Sequence, residues 1–206
     1  GYARSKWVSK AILAKASENS PLRPVIIRAG QICGSPNEYW NAKEWFPSLV
    51  QASQRIGGVP DNNATVAWVP LKGAGKALIE LRHAQALICH LVHPKPVQWK
   101  TIATHVSQAL NVPIISAKEW VERLEELAAE DKTPISAVHL LGVYRAGLLS
   151  PDSDDSTPRE ILGLPDYEME QTLRASEYLA SGKLNQLRKQ DVESWVGSWK
   201  SLGVLE

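Results

Sequence analysis

Two cysteines, Cys33 and Cys89, are all that this chain of 206 residues offers to sulfur redox chemistry. They form neither a CxxC pair nor a disulfide framework, which excludes a cystine-stapled secreted scaffold and fits a reducing compartment. An excess of charge of one sign is also missing, since 23 Lys and Arg face 22 Asp and Glu. With no basic stripe interleaved with aromatics, neither nucleic-acid binding nor an electrostatic membrane anchor is indicated. No apolar run approaches the roughly 20 residues of a bilayer-spanning helix, and the start has no basic-then-apolar signal segment. The chain therefore reads as a soluble, cytoplasmic protein. His83, His90, His93, His105 and His139 lack metal-ligand spacing with a carboxylate, so no metal site is expected. Phenylalanine is reduced to Phe46 alone, against eight tryptophans. Nothing in the composition accounts for that imbalance.

What is present is ordinary globular material: 44% hydrophobic and 22% charged residues, enough for one domain with a sizeable core. Residues 3–17 place Trp7, Val8, Ile12 and Leu13 at helical spacing among good helix formers. Asn19, Ser20 and Pro21 end that helix. Val25, Ile26 and Ile27, bounded by Pro24 and Gly30, read as a strand buried on both faces. A helix over about 43–55, a short strand TVAWV, a helix LKGAGKALIELRHA and an apolar strand at 86–92 follow, giving a strand–helix–strand crossover. After HPKP the pattern is almost wholly helical. Segments near 99–110, 118–130, 135–148, 167–181 and 189–202 are expected to be helices, with a brief strand-like VPIIS and a capping box from Ser116 to Glu119. The acidic, proline-bounded stretch 150–158 reads as an exposed loop, and the acidic face of 120–131 as solvated. Trp99, Trp120, Trp195 and Trp199 read as core, while Trp40, Trp45 and Trp68 either pack between layers or wall a pocket.

Chemistry enters at GYARSKWVSK, where Tyr2 and Lys6 lie four apart and so share one helical face. A tyrosine hydroxyl has an unperturbed pKa of about 10, and a nearby ammonium favours its ionised form. That brings the proton within catalytic reach and lets the lysine bond a cofactor ribose. Spacing alone decides little, because Tyr39 and Lys43 repeat it in YWNAK. Context separates the pairs: Tyr2 opens a helix feeding directly into the strand VIIR, whereas Tyr39 falls in a loop-like stretch.

The residues GYARSKWVSKAILAKA, PVIIRAGQICGSP, ATVAWVPLKGAGKAL, CHLVHPKPVQW and ASEYLASGKLNQLRKQDVESWVGSWKSLGVLE together resemble the thioester reductase domains of the extended short-chain dehydrogenase type. Such domains end fungal nonribosomal-peptide-synthetase-like enzymes, including aminoadipate and aryl-acid reductases. The resemblance covers essentially the whole chain. It implies an α/β fold: the distal half of a Rossmann-like doubly wound parallel sheet over residues 1–95, with 35–65 contributing in part to a mostly helical substrate-binding subdomain over 96–206. It further implies that Tyr2 and Lys6 are the tyrosine and lysine of the family's Ser/Thr-Tyr-Lys set. Lys6 with Arg28, Ala29, Gly30, Gln31 and Ile32 would adjoin the nicotinamide of NADPH. The implied reaction is reduction of an acyl thioester, held on a carrier protein's phosphopantetheine arm, to an aldehyde.

Two features depart from that family. Its glycine-rich dinucleotide turn and its Ser/Thr lie upstream of the tyrosine, and no such turn occurs here, since Gly30 and Gly34 follow the wrong strand and open no helix. The chain is therefore expected to be the C-terminal part of a reductase domain, inactive without its upstream half. Lys10 and Lys72 also stand where acidic residues are usual, and Lys72 is expected to disturb a cap at the start of its helix. Two other functions remain open: a non-catalytic module docking the carrier protein, and an extended dehydrogenase acting on a free alcohol, ketone or sugar nucleotide.

Overall fold

The computed structural model describes residues 1–34, 40–129, 135–149, 159–162, 164–165 and 167–206, apart from the side chains at 2, 3, 164 and 165. Tyr39, Gly163 and the acidic stretch 150–158 lie outside the described residues. Along the chain run α1 (Tyr2–Asn19), β1 (Ile26–Ala29), β2 (Ile32–Cys33), α2 (Trp45–Ile56), β3 (Val59–Pro60), β4 (Thr65–Val66), β5 (Val69–Pro70) and α3 (Leu71–Leu81). They are followed by β6 (Ile88–Leu91), β7 (Val97–Gln98), α4 (Trp99–Leu110), β8 (Ile114–Ile115), α5 (Ala117–Ala129), α6 (Ser136–His139) and α7 (Leu141–Leu148). The remaining elements are β9 (Arg159–Glu160), β10 (Leu164–Pro165), α8 (Glu170–Ala175), α9 (Glu177–Ala180) and α10 (Lys189–Ser201).

The chain divides into two compact units. The first comprises Gly1–Ile32, Trp68–Pro94 and Tyr167–Asn185. Its β1 and β6 pair in parallel, Ile26 opposite Ile88 and Ala29 opposite Leu91; the crossover expected between TVAWV and the strand at 86–92 is corrected, since among the described residues β4 pairs with β7 and β9, and β5 with β2. Small residues on one side of α3, Gly73, Ala74 and Ala77, with Leu81 from the same helix, pack into one core with Cys89 and Leu91 of β6, and Leu179 and Leu184 complete it. The expectation of a strand buried on both faces is corrected: Ile26 and Ile27 are half-buried, and Arg28 and Ala29 are exposed. Among the described residues β1 has a neighbour on one edge only, so part of its surface finds nothing to pack on.

Tyr167–Asn185, read from sequence as belonging with the helical part, joins this first unit through a clasp. The Glu80 carboxylate accepts from Ser176 Oγ at 2.6 Å and from the Tyr178 amide at 3.0 Å. Ser176 in turn caps α9 by accepting from the Leu179 amide. Those two donors hold the Glu80 carboxyl below the ordinary carboxylate range.

The second unit comprises Cys33–Ala67, Lys95–Asp166 and Gln186–Glu206. It holds most of the tryptophans, and here their abundance has a reason. An indole buries more surface than a phenyl ring and carries one donor that must be satisfied inside. Trp99 donates to Pro60 O at 2.8 Å, Trp120 to Ser53 Oγ at 3.0 Å and Trp199 to Trp40 O at 3.3 Å. Trp40 stacks edge-on to Trp195 at 5.0 Å. Each indole thus fills the core and ties two distant segments together. Trp40 and Trp68 are buried as well. Tyr144 acts similarly, donating from its hydroxyl to Trp45 O at 2.7 Å, and burial pushes its phenol well above the usual value.

The second unit is less purely helical than the sequence pattern predicts. A four-stranded sheet runs β10–β9–β4–β7, and β3 pairs with β8 in parallel. Each of these strands is two residues long, too short to carry a period-two pattern. The expected capping box is half formed: Ser116 Oγ accepts from the Glu119 amide, but the Glu119 carboxylate turns to Arg123. At α3 the N-cap is Pro70 with no side-chain cap, in line with a lysine rather than a carboxylate at position 72.

Candidate active site

α1 carries the candidate pair. Tyr2 is its first residue and Lys6 follows one turn later, with the turn closed by the Ser5 amide donating to Gly1 O at 3.2 Å. Lys6 is exposed. The Tyr2 side chain lies outside the described residues, so the two positions are related by the helix backbone alone. No carboxylate occupies the first turn of α1, where Arg4 and Lys6 stand instead. That is the reverse of what the helix dipole favours and leaves this end electropositive.

From α1 the chain turns at Pro21–Pro24 directly into β1, so the strand's carboxyl end belongs to the same local unit as the helix. Arg28 and Ala29 are exposed there, and Gly30, Gln31 and Ile32 are half-buried. The segment is anchored on both sides. The Gly30 amide donates to Leu91 O at 3.0 Å, the Val69 amide donates to Gln31 O at 3.0 Å, and Gln31 Nε2 donates to Ile32 O at 2.8 Å. A Cβ at Gly30 would stand 2.7 Å from Val92 Cγ1, so glycine is needed for the ends of β1 and β6 to run this close. The result is a fixed ledge of small residues at the carboxyl end of a parallel pair, the edge at which open α/β sheets take their ligands.

That ledge suits one end of a dinucleotide. Ala29 and Gly30 carry no bulky side chain there, and Lys6 and Arg28 are cationic residues of the adjoining helix and strand. No glycine-rich strand-to-helix turn of the kind that holds a pyrophosphate occurs among the described residues. Among the described residues no cluster of His, Cys, Asp and Glu could hold a metal, and no helix is long and apolar enough to cross a membrane. His90 sits in β6, stacked on Tyr167 at 4.8 Å, with Nδ1 3.0 Å from Glu168 O, and His93 meets Asn185 O at 3.0 Å. Both histidines therefore knit Tyr167–Asn185 to β6 and its exit. The link from Glu80 to Ser176, which fixes that same segment, left no sign in the sequence.

Comparison with known proteins places this geometry. The family model described as male sterility protein, an NAD-binding type, matches residues 1–73, the stretch running from α1 through β1 to the start of α3. Adenylate-forming reductase Nps10 of Heterobasidion annosum is 34% identical over 211 residues, which takes in 98% of this chain and 19% of that protein. The chain is thus similar to one part of the fungal adenylate-forming reductases. It also matches the carboxylic acid reductase of Neurospora crassa, 32% identical over 163 residues, covering 70% of this chain and 16% of that enzyme. Its fold is that of the terminal R domain from the myxalamid PKS-NRPS pathway, with a TM-score of 0.77 at 20% identity over 100% of this chain and 51% of that one. The Rossmann-like α/β reading is thereby established. The chain spans about a fifth of the length of the curated relatives it matches and about half of the solved R-domain chain.

Proposed function

We propose that this chain supplies the catalytic helix and nicotinamide-side ledge of a reductase domain that uses NADPH to convert a carrier-bound acyl thioester into an aldehyde. The observation that carries this reading is the continuity of α1 with β1: one helix bearing Tyr2 and Lys6 runs into the one strand whose exposed carboxyl end bears Arg28–Ile32. Bound along that ledge, with Lys6, Arg28, Ala29, Gly30, Gln31 and Ile32 holding it, NADPH would supply a hydride to the thioester carbonyl carbon. Tyr2 donates a hydrogen bond to the carbonyl oxygen as negative charge builds there. Lys6 strengthens that donor by its charge. Collapse of the tetrahedral oxyanion then expels the phosphopantetheine thiolate, and the aldehyde is released. A donor aimed at developing oxyanion charge is typically worth a hundredfold to a thousandfold in rate.

We also infer that an upstream segment of the same domain covers α1. Among the described residues, the large exposed apolar side chains concentrate in the first unit: Trp7, Val8, Ile12, Leu13, Leu22, Leu71, Leu78, Ile79 and Leu87, against Val143, Leu149 and Leu202 in the second. Trp7 is 64% exposed, on a helix with Val8 and Ile12 exposed beside it. So large an uncovered apolar face fits a sheet and helix layer that continues beyond it. The test is NADPH oxidation by the full-length protein with an acyl-loaded carrier. Tyr2→Phe and Lys6→Ala should each lower kcat by roughly a hundredfold or more while the aldehyde remains the product. Unimpaired turnover in both variants removes the catalytic assignment.

A further inference from the structure

A second polar cleft, of about 460 Å³, opens in the first unit at the opposite end of β1 and β6. Pro24 and Leu87, which precede the two strands, form its floor together with Leu22. Arg23, Arg82 and His83 stand on its walls. It is therefore separate from the ledge at Ala29–Gly30, which follows β1.

The cationic groups there are positioned but not neutralised. Arg82 Nε donates to His83 Nε2 at 2.7 Å, which fixes the guanidinium beside the imidazole. The backbone of His83 is held in turn by Gln85 Nε2, 3.4 Å from the His83 carbonyl. Neither Arg23 nor Arg82 pairs with a carboxylate among the described residues. The acidic residues nearest in sequence are engaged elsewhere: Glu18 bonds Lys15 at 2.6 Å, and Glu80 bonds Ser176 and Tyr178.

At the end of α3 it is the Arg82 backbone amide that caps the helix, and no bond from its guanidinium to a helix carbonyl is made among the described residues. In α1 the carbonyls of Ala14, Lys15 and Ala16 accept from Ser17 Oγ, Asn19 Nδ2 and Ser20 Oγ. In α3 those of Leu78, Glu80 and Leu81 accept from the amides of Arg82, His83 and Ala84. Two guanidinium forks over an apolar floor, with no carboxylate between them, are the chemistry that recognises phosphate. The volume falls in the range of small-molecule sites.

We propose that this cleft binds a phosphate group carried by a small molecule of nucleotide size, gripped by Arg23 and Arg82 with its organic part on Leu22, Pro24 and Leu87. The proposal does not depend on the catalytic reading above. It is tested by calorimetric titration of the full-length protein with inorganic phosphate and with adenosine 5′-monophosphate, at ionic strength held constant with chloride. Both should bind, the nucleotide more tightly because it also covers the apolar floor. Equal affinities would make the free anion the ligand and still support the phosphate site. Arg23→Ala and Arg82→Ala should each weaken binding roughly tenfold or more, and Arg82→Lys, which keeps the charge but not the fork, should fall between. Far-ultraviolet circular dichroism and the thermal unfolding midpoint should be unchanged in all three variants, which shows that they are folded without relying on a second phosphate-bearing ligand. Nucleotide binding that survives both alanine substitutions, or no binding of either probe at millimolar concentration, overturns the proposal. So does capture of an acidic peptide by a protein that ignores both small anions.

Discussion

Gly30→Ala is the substitution whose consequence can be worked furthest from the structure. The new methyl would lie 2.7 Å from Val92 Cγ1, whereas carbon atoms rest at about 3.5–4.0 Å, so the ends of β1 and β6 must part or Val92 must leave its rotamer. Val92 is 3% exposed and has no open side to turn into. Overpacking of this kind costs about 1–3 kcal/mol. The strain falls on the Gly30 amide bond to Leu91 O, so amide hydrogen exchange of peptides spanning β1 and β6 should accelerate roughly fivefold to a hundredfold. Val92→Ala alone should also destabilise, by about 1–3 kcal/mol, because it empties a packed site. The double variant is decisive. If the clash is real, the shortened side chain makes room for the methyl, and the pair should be less destabilised than the sum of the singles by about 1 kcal/mol or more. NADPH affinity should follow the same pattern, lost in Gly30→Ala and regained in the double variant. Additivity within about 0.5 kcal/mol would refute the claim that the close approach at Val92 is why glycine stands here.

Three further outcomes are expected. Ser176→Ala removes the α9 cap and one donor to Glu80, and should cost about 0.5–2 kcal/mol, read as faster exchange over residues 176–181. Because the Ser176 hydroxyl and then the Tyr178 amide depress the Glu80 pKa, the clasp is fully present above the unfolded carboxylate value of about 4.3. It is lost as pH falls through the lower folded value, and Glu80→Gln should flatten that acid-side loss. Tyr144 is shifted the other way by burial, so its contribution holds below about pH 10 and fades as pH rises above it; Tyr144→Phe should remove this alkaline dependence and cost about 1–2 kcal/mol by stranding Trp45 O. Trp7 should be shielded from acrylamide quenching in the full-length protein, and free quenching there would remove the inferred upstream cover.

The elements that sequence made legible are those whose pattern repeats over a turn or more. α1 could be read from Trp7, Val8, Ile12 and Leu13, and β1 and β6 from short apolar runs bracketed by proline and glycine. That they belong to a parallel sheet followed, but their direct pairing, Ile26 with Ile88, did not, because the sequence pattern places the crossover between TVAWV and β6. What stayed hidden was set by contacts far apart in the chain. Glu80 reads as one more polar residue of an amphipathic helix, yet its bonds to Ser176 and Tyr178 put residues 167–185 with the sheet instead of the helical part. The two-residue strands β9 and β10 carry no periodicity, and their pairing comes from position alone. Residue type correctly marked the tryptophans as core, but the acceptors that satisfy their indoles, such as Pro60 O for Trp99, belong to other segments.

The candidate site divides along the same line. Tyr2 and Lys6 could be singled out only because a helix feeding a strand is a sequence-local arrangement, and Tyr39 with Lys43 shows how little four-residue spacing says without it. Ile26 and Ile27 were expected in a strand buried on both faces and are half-buried instead. A strand in the interior of a parallel sheet has a neighbour on each edge and layers on both faces. β1 has the composition of such a strand, with Val25, Ile26 and Ile27 in succession, but one paired edge among the described residues. The mismatch between an interior strand's sequence and an edge strand's surroundings, beside a helix with Trp7 and Ile12 both more than 60% exposed, is the same deficit seen twice. One additional parallel strand on β1 and one helix on α1 would remove both at once. That layer would also bring the Rossmann sheet to the side of Lys6 where this chain has no pyrophosphate turn. The uncovered surface of the first unit and the pyrophosphate turn that the proposed cofactor reading requires therefore call for the same kind of segment.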